Sequence, residues 1–313
     1  MREKIRKSGI LKILLFAVLV LTMAALAEPV LRPEGVQSCY NAVEAFHSLP
    51  DNSIDVIAFG SSRVWRGINA KQLFDEFGLN AYNYGSNWQK LNTTELFIED
   101  ALRTQSPQIA LVEVRNVARL TRNKEFSGEL YATRALPWSR KKLSYLHWAL
   151  RLEPVHIASY FFPVISIHNT WTDLLSPNWG ESIVKTESLL ENRGSLNDLD
   201  RVKPKTLGDH SKNIELNRAS RVQLDRIVDM CKAKGTQVVF YLTPCTGQYS
   251  YSKAMKEYAM EKGCDYVDGF EYLDEIGIDP STDFADKAHL NIAGEEKMTR
   301  FLGNYLREHY ELP

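Results

Sequence analysis

The stretch "NSIDVIAFGSSRVWRG", Asn52–Gly67, decides how the chain reads. Asp55–Phe59 is short, almost wholly apolar and stops at Gly60, the pattern of a strand buried on both faces. Two small hydroxyls follow, Ser61 and Ser62, and then a charged and aromatic segment. A serine just after a strand ordinarily closes a turn or caps a helix. It can also be a nucleophile, and the rest of the chain decides between the two.

Working outward from Gly60, strand and helix signals alternate. Ile68–Phe77 has helical spacing and ends at Gly78. Leu79–Tyr84 reads as a second strand, ending at Gly85. Leu91–Leu102 reads as a helix with Thr93 or Thr94 as cap, and Ile109–Val114 as a third strand, apolar except for Glu113. From about 117 to 210 the alternation breaks in a stretch holding Tyr131, Trp138, Tyr145, Trp148, Tyr160, Phe161, Phe162, Trp171 and Trp179. It then resumes: helix Ile214–Lys234, strand Gln237–Leu242, helix Tyr251–Lys262, strand Tyr266–Asp268 and helix Gly294–Tyr310. Strands alternating with helices predict an α/β protein with a mainly parallel sheet covered on both faces. The expected architecture is a three-layer, flavodoxin-like sandwich with a long insertion after the third strand. Two units are expected: residues 1–30 as an N-terminal segment and 31–313 as the folded domain, joined by a short linker.

The N-terminal segment has its own logic. Arg2, Lys4, Arg6 and Lys7 precede an apolar run from Ile10 to Ala27 broken only by Lys12 and Thr22. Eighteen helical residues reach about 27 Å, close to the hydrocarbon thickness of a bilayer. A cationic tail before such a run matches the positive-inside pattern, and Ala25-Leu26-Ala27 fits a cleavage site. A signal anchor and a cleaved signal peptide both remain open. The expected location is the cell membrane, single-pass with the domain outside the cytoplasm, or secreted if the segment is cut.

Bulk properties exclude several classes. The 313 residues are 44% hydrophobic and 25% charged, with a formal net charge of −1. That balance lacks the basic excess of a nucleic-acid binder. Neither GxxxxGK[ST] nor GxGxxG is present, so the glycine loop is not a phosphate cradle. Four cysteines (Cys39, Cys231, Cys245, Cys264) form no close CxxC pair, and spacing leaves their pairing open. His47, His147, His156, His168, His210 and His309 form no HExxH or close pair. No metal and no cofactor is expected.

In such sheets ligands gather at the carboxyl ends of the strands. Gly60-Ser61-Ser62, Gly85-Ser86-Asn87 and Arg115-Asn116 fall at those ends, and Asp286-Lys287-Ala288-His289 precedes the last helix. A serine hydroxyl needs a base, and the base an orienting group. Asp286 and His289 are three apart, a spacing that puts both on one face of a turn. Donors for an oxyanion could come from the N–H of the serine, the N–H of Gly85 and the amide of Asn116.

In this order the motifs resemble the SGNH hydrolase superfamily, also called GDSL-like acylhydrolases. The membrane-tethered branch that includes DltD and the alginate acetylation proteins is similar in carrying Ser where others have the Asp of Gly-Asp-Ser, as Gly60-Ser61-Ser62 does. The resemblance implies Ser62 as nucleophile, Asp286 and His289 as the rest of a triad, and Gly85 and Asn116 as oxyanion donors. The third block departs from Gly-x-Asn, reading Val114-Arg115-Asn116. The resemblance further implies a serine-dependent O-acyltransferase or O-acyl esterase acting on cell-surface polysaccharide. Its partners would be an acylated donor, a cell-surface glycan acceptor and a multi-spanning membrane acyl-transfer protein. The aromatic insertion would form a lid or sugar-stacking surface, or simply pack. The alternative is a non-catalytic glycan-binding module on the same fold.

Overall fold

A computed structural model describes residues 2–87, 89–118, 132–150, 159–196, 199–208 and 212–313. The expected insertion is therefore described in part; Tyr131, His156 and His210 lie outside the described residues.

Five short strands form one sheet: β1 Val56–Phe59, β2 Ala81–Asn83, β3 Ile109–Glu113, β4 Gln237–Leu242 and β5 Asp265–Asp268. Their order is β2-β1-β3-β4-β5 and every neighbouring pair is parallel. Val56 stands beside Ala81 on one side and Ile109 on the other. This is the expected α/β sandwich, with strand order reversing between β1 and β3. Doubly wound sheets place ligands at the carboxyl ends of the strands beside such a reversal.

Successive side chains of a strand point to opposite faces, and the core divides accordingly. Ile57, Phe59, Ala110, Val112, Val238 and Phe240 belong to one buried cluster. It is closed by helices α2 (Glu34–His47), α5 (Leu91–Ala101), α9 (Arg218–Lys232) and α10 (Ser252–Lys262). Val56, Ala58, Ile109, Leu111, Val239 and Tyr241 belong to the other, closed mainly by α4 (Ala70–Phe77) and α12 (Ile292–His309). Both faces of β1, β3 and most of β4 are buried, which is why those strands read as largely apolar runs rather than alternating ones.

Several boundaries differ from expectation for local reasons. The linker after residue 30 is largely helix α2, whose Val36, Val43 and Phe46 share one face and are buried. Helix α4 starts at Ala70, because Asn69 caps it by accepting from the Gln72 N–H. A separate short helix, α3 (Ser62–Trp65), precedes it. The expected caps Thr93 and Thr94 lie inside α5 and are buried; Lys90 holds the cap position and makes no capping bond to the helix N-terminus. Within the insertion lie α6 (Arg140–Leu150), α7 (Val164–Ile167), a 3-10 helix (His168–Leu175) and α8 (Thr186–Glu191). A further short helix, α11, is Leu273–Ile276. Helix α1 (Arg2–Leu31) contains Gly9–Leu31, 23 residues long and apolar enough to cross a membrane. All four cysteines are free thiols.

Candidate active site

The two serines after β1 have different surroundings. Gly60 turns the chain sharply, with φ at +151°. A Cβ there would meet Val64 Cγ2 at 2.6 Å and Glu113 Cβ at 2.9 Å, so only glycine fits. Ser61 is the N-cap of α3; its Oγ accepts from the Arg63 N–H at 3.4 Å and it is buried. Ser62 is the first residue of that helix, half-buried, with its Oγ 2.8 Å from His289 Nε2. The Ser62 N–H has no acceptor among the described residues.

Asp286 and His289 lie in a tight loop pinned by the Phe284–Leu290 bridge and an Ala285 N–H to His289 O bond of 3.1 Å. His289 Nδ1 lies 3.0 Å from both carboxylate oxygens of Asp286. Asp286 Oδ1 also accepts the backbone N–H groups of Ala288 (2.7 Å) and His289 (3.0 Å). Burial on its own would raise the Asp286 carboxyl, but the bonds from the His289 ring and the Ala288 N–H outweigh it and hold it at about 2. Asp286 is thus an anion at neutral pH. The geometry leaves Nδ1 as the donor to the carboxylate and Nε2 as the acceptor facing Ser62 Oγ. An arrangement of this kind can take a proton from the hydroxyl and stabilise the resulting imidazolium.

Three side chains and one backbone N–H hold this loop in place. Arg63, the residue after Ser62, donates Nε to Ala288 O at 3.0 Å. Thr246, beyond β4, donates to Lys287 O at 2.6 Å. Arg201 lies 3.3 Å from Asp286 Oδ2, and the Lys203 N–H donates to Phe284 O at 2.7 Å. Reading the sequence missed all of these. Three of the four bonds end on backbone carbonyls, which leave no trace in side-chain pattern. Glu113 gave a signal, as the one charge in an apolar strand. It is buried beneath Gly60, and burial pushes its carboxyl up to about 7, with Arg63 and Arg115 only partly opposing this.

The two expected oxyanion residues stand differently. Gly85 follows β2, and a Cβ there would meet Trp65 N at 2.9 Å, so the backbone approaches α3 closely. Its N–H is donated to Asn83 Oδ1 at 3.0 Å and is therefore already engaged. Asn83 in turn donates its amide to Val64 O and Ile68 O, tying β2 to the end of α3. Asn116 follows β3, half-buried; its amide donates to Gln89 O at 3.4 Å, a long and weak bond. The structure thus joins Ser62, His289 and Asp286 by direct hydrogen bonds, while Gly85 and Asn116 share the strand-end edge without bonding to them. Among the described residues no group of three or more His, Cys, Asp or Glu side chains is arranged to hold a metal ion.

Comparison with protein-family models gives no match, and comparison with curated proteins gives none. Among solved structures, the chain is similar to a protein of Bacteroides fragilis NCTC 9343 provisionally described as an acylhydrolase. The two share 11% identity over 85% of this chain and 94% of that one, with a TM-score of 0.41. At that score the two folds overlap only loosely.

Proposed function

We propose that this chain is a serine-dependent acyl-transfer enzyme of the SGNH type, working outside the cytoplasmic membrane on an O-acylated substrate. The observation that carries the reading is the continuous relay Ser62 Oγ–His289 Nε2, His289 Nδ1–Asp286, spanning 2.8 Å and 3.0 Å. Ser62 Oγ attacks the ester carbonyl while His289 takes its proton. Asp286 fixes the ring and stabilises the imidazolium. The tetrahedral oxyanion is met by the Ser62 N–H and by the Asn116 amide, which leaves its weak bond to Gln89. Gly85 can donate only once its bond to Asn83 is released. Collapse expels the leaving alcohol with the proton from His289 and leaves an acyl-Ser62 ester. Water or a sugar hydroxyl, deprotonated by His289, then takes the acyl group.

The finer reading follows the DltD and alginate-acetylation resemblance of Gly60-Ser61-Ser62. It makes the acceptor or substrate a cell-surface polysaccharide, with the acyl group delivered by a multi-spanning membrane protein. The apolar helix Gly9–Leu31 supports a site tethered at the membrane. Hydrolysis of a chromogenic acetyl ester by the full chain, and labelling by a fluorophosphonate, test the reading. Both are expected in the parent chain and neither in Ser62→Ala or His289→Ala. Absence of both in the parent chain would leave a glycan-binding module.

A further inference from the structure

The insertion presents an apolar face that the triad does not use. Phe161, Phe162, Ile165, Trp171 and Leu175 are 57%, 43%, 40%, 57% and 75% exposed. They come from α7, the 3-10 helix and the residues just before them. Residues 159–180 contain a single carboxylate, Asp173, and a single imidazole, His168, and no Lys or Arg, in a chain that is 25% charged. Large apolar side chains grouped in this way on a surface mark a binding site.

Its position says what it binds. Both α7 and the 3-10 helix pack against α1, and Thr170 Oγ1 donates to Leu31 O, the last carbonyl of α1. The side chains of α1 from Gly9 to Met23 are exposed, whereas Ala24, Ala27, Glu28 and Leu31 are partly covered. That spacing is one face of the final two turns, the face the insertion occupies. From Ala24 to Leu31 is seven residues, or about 10 Å along a helix. An interfacial segment beds to about 5–10 Å, so the patch meets α1 at the matching depth. The carboxylate nearest that end, Glu28, is neutralised by two bonds of 2.7 Å from Arg32. Exposed Trp and Phe beside a spanning helix are the side chains that favour the headgroup boundary.

We propose that the face formed by residues 161–175 beds into the surface of a lipid bilayer beside α1, giving the domain a second attachment and one orientation to the membrane. The proposal is independent of the triad. Helix α1 contains no tryptophan, so fluorescence of the full chain reports on the domain alone. The full chain is reconstituted into phosphatidylcholine vesicles with plain acyl chains or with chains brominated near the carbonyl. Bromolipid is expected to quench part of the emission of the parent chain. The Trp171→Phe chain is expected to lose part of that quenching, with Trp138 stacked on Phe161 keeping the rest, and Ile165→Ser/Leu175→Ser to reduce it with the melting temperature unchanged. Equal emission in both vesicle types, or quenching untouched by Trp171→Phe, would overturn the proposal. So would efficient disulfide trapping between two Leu175→Cys chains without quenching, which would assign the face to a second copy.

Discussion

Ser61 and Ser62 are neighbours whose hydroxyls point to different tasks: Ser61 Oγ accepts the Arg63 N–H, while Ser62 Oγ lies 2.8 Å from His289 Nε2. The two are therefore separable by substitution. Ser62→Ala is expected to lower kcat for ester hydrolysis on the order of 10⁴-fold or more. Ser61→Ala removes a cap worth about 1 kcal/mol, which in a domain of this size lowers Tm by roughly 2–4 °C, with most activity retained. Fluorophosphonate mass added to a peptide at Ser62, and not at Ser61, is the direct check; labelling of Ser61 would reverse the assignment.

The acid limb of stability should carry the mark of Asp286. Its carboxyl is held at about 2 in the folded chain, below its ordinary value of 3.8. A depressed carboxyl contributes stability that is present above the unfolded value and lost as pH falls through the folded one. Thermal melts between pH 5 and pH 2 are expected to drop more for the parent chain than for Asp286→Asn. At neutral pH the same substitution removes the charge that orients the ring, and kcat should fall by about 10³–10⁴-fold.

Glu113 works in the opposite sense. Burial pushes its carboxyl up to about 7, so its contribution is fully present below about pH 4.5 and lost as pH rises through 7. Glu113→Gln should leave the melting temperature near pH 5 little changed and raise it relative to the parent chain at pH 8. A parallel dependence in both chains would show that Glu113 does not titrate in this window.

Gly60→Ala combines an unfavourable backbone conformation with a Cβ lodged between Val64 and Glu113. Strain of this kind costs about 1–3 kcal/mol, and relief must shift the turn that carries Ser62. Loss of several degrees in Tm together with a lower kcat is expected. A fall in Tm with kcat intact would mean that the turn relaxes without moving the hydroxyl.

Arg63→Met breaks the 3.0 Å bond to Ala288 O that ties the His289 loop to the serine helix. Misplacement by about 1 Å can cost about 10²-fold in rate, so kcat should fall while KM changes little. Partial recovery in Arg63→Lys would separate this positioning effect from general damage, and a rise in KM alone would argue against it.

The sheet was readable because strands buried on both faces must be apolar throughout and must stop where the chain turns, at Gly60 and Gly85. The triad was readable because a hydroxyl, a carboxylate and an imidazole stand at a strand end and just before the last helix. What holds the triad together was not. Arg63 and Thr246 act through carbonyls of Ala288 and Lys287, and any residue would supply those carbonyls. Nor could spacing assign Ser61 and Ser62, because their roles follow from the one-residue difference between capping α3 and beginning it. Helix α2 was hidden by its nearness to the apolar segment, which made the residues after that segment read as a short linker.

Ser62 and His289 are 227 residues apart in the chain. The hydroxyl is therefore synthesised well before the imidazole that it bonds. A nascent or truncated chain ending before Asp286 therefore lacks the Ser62–His289–Asp286 relay. On the proposed mechanism, ester cleavage would have to wait until the loop before α12 has docked against α3.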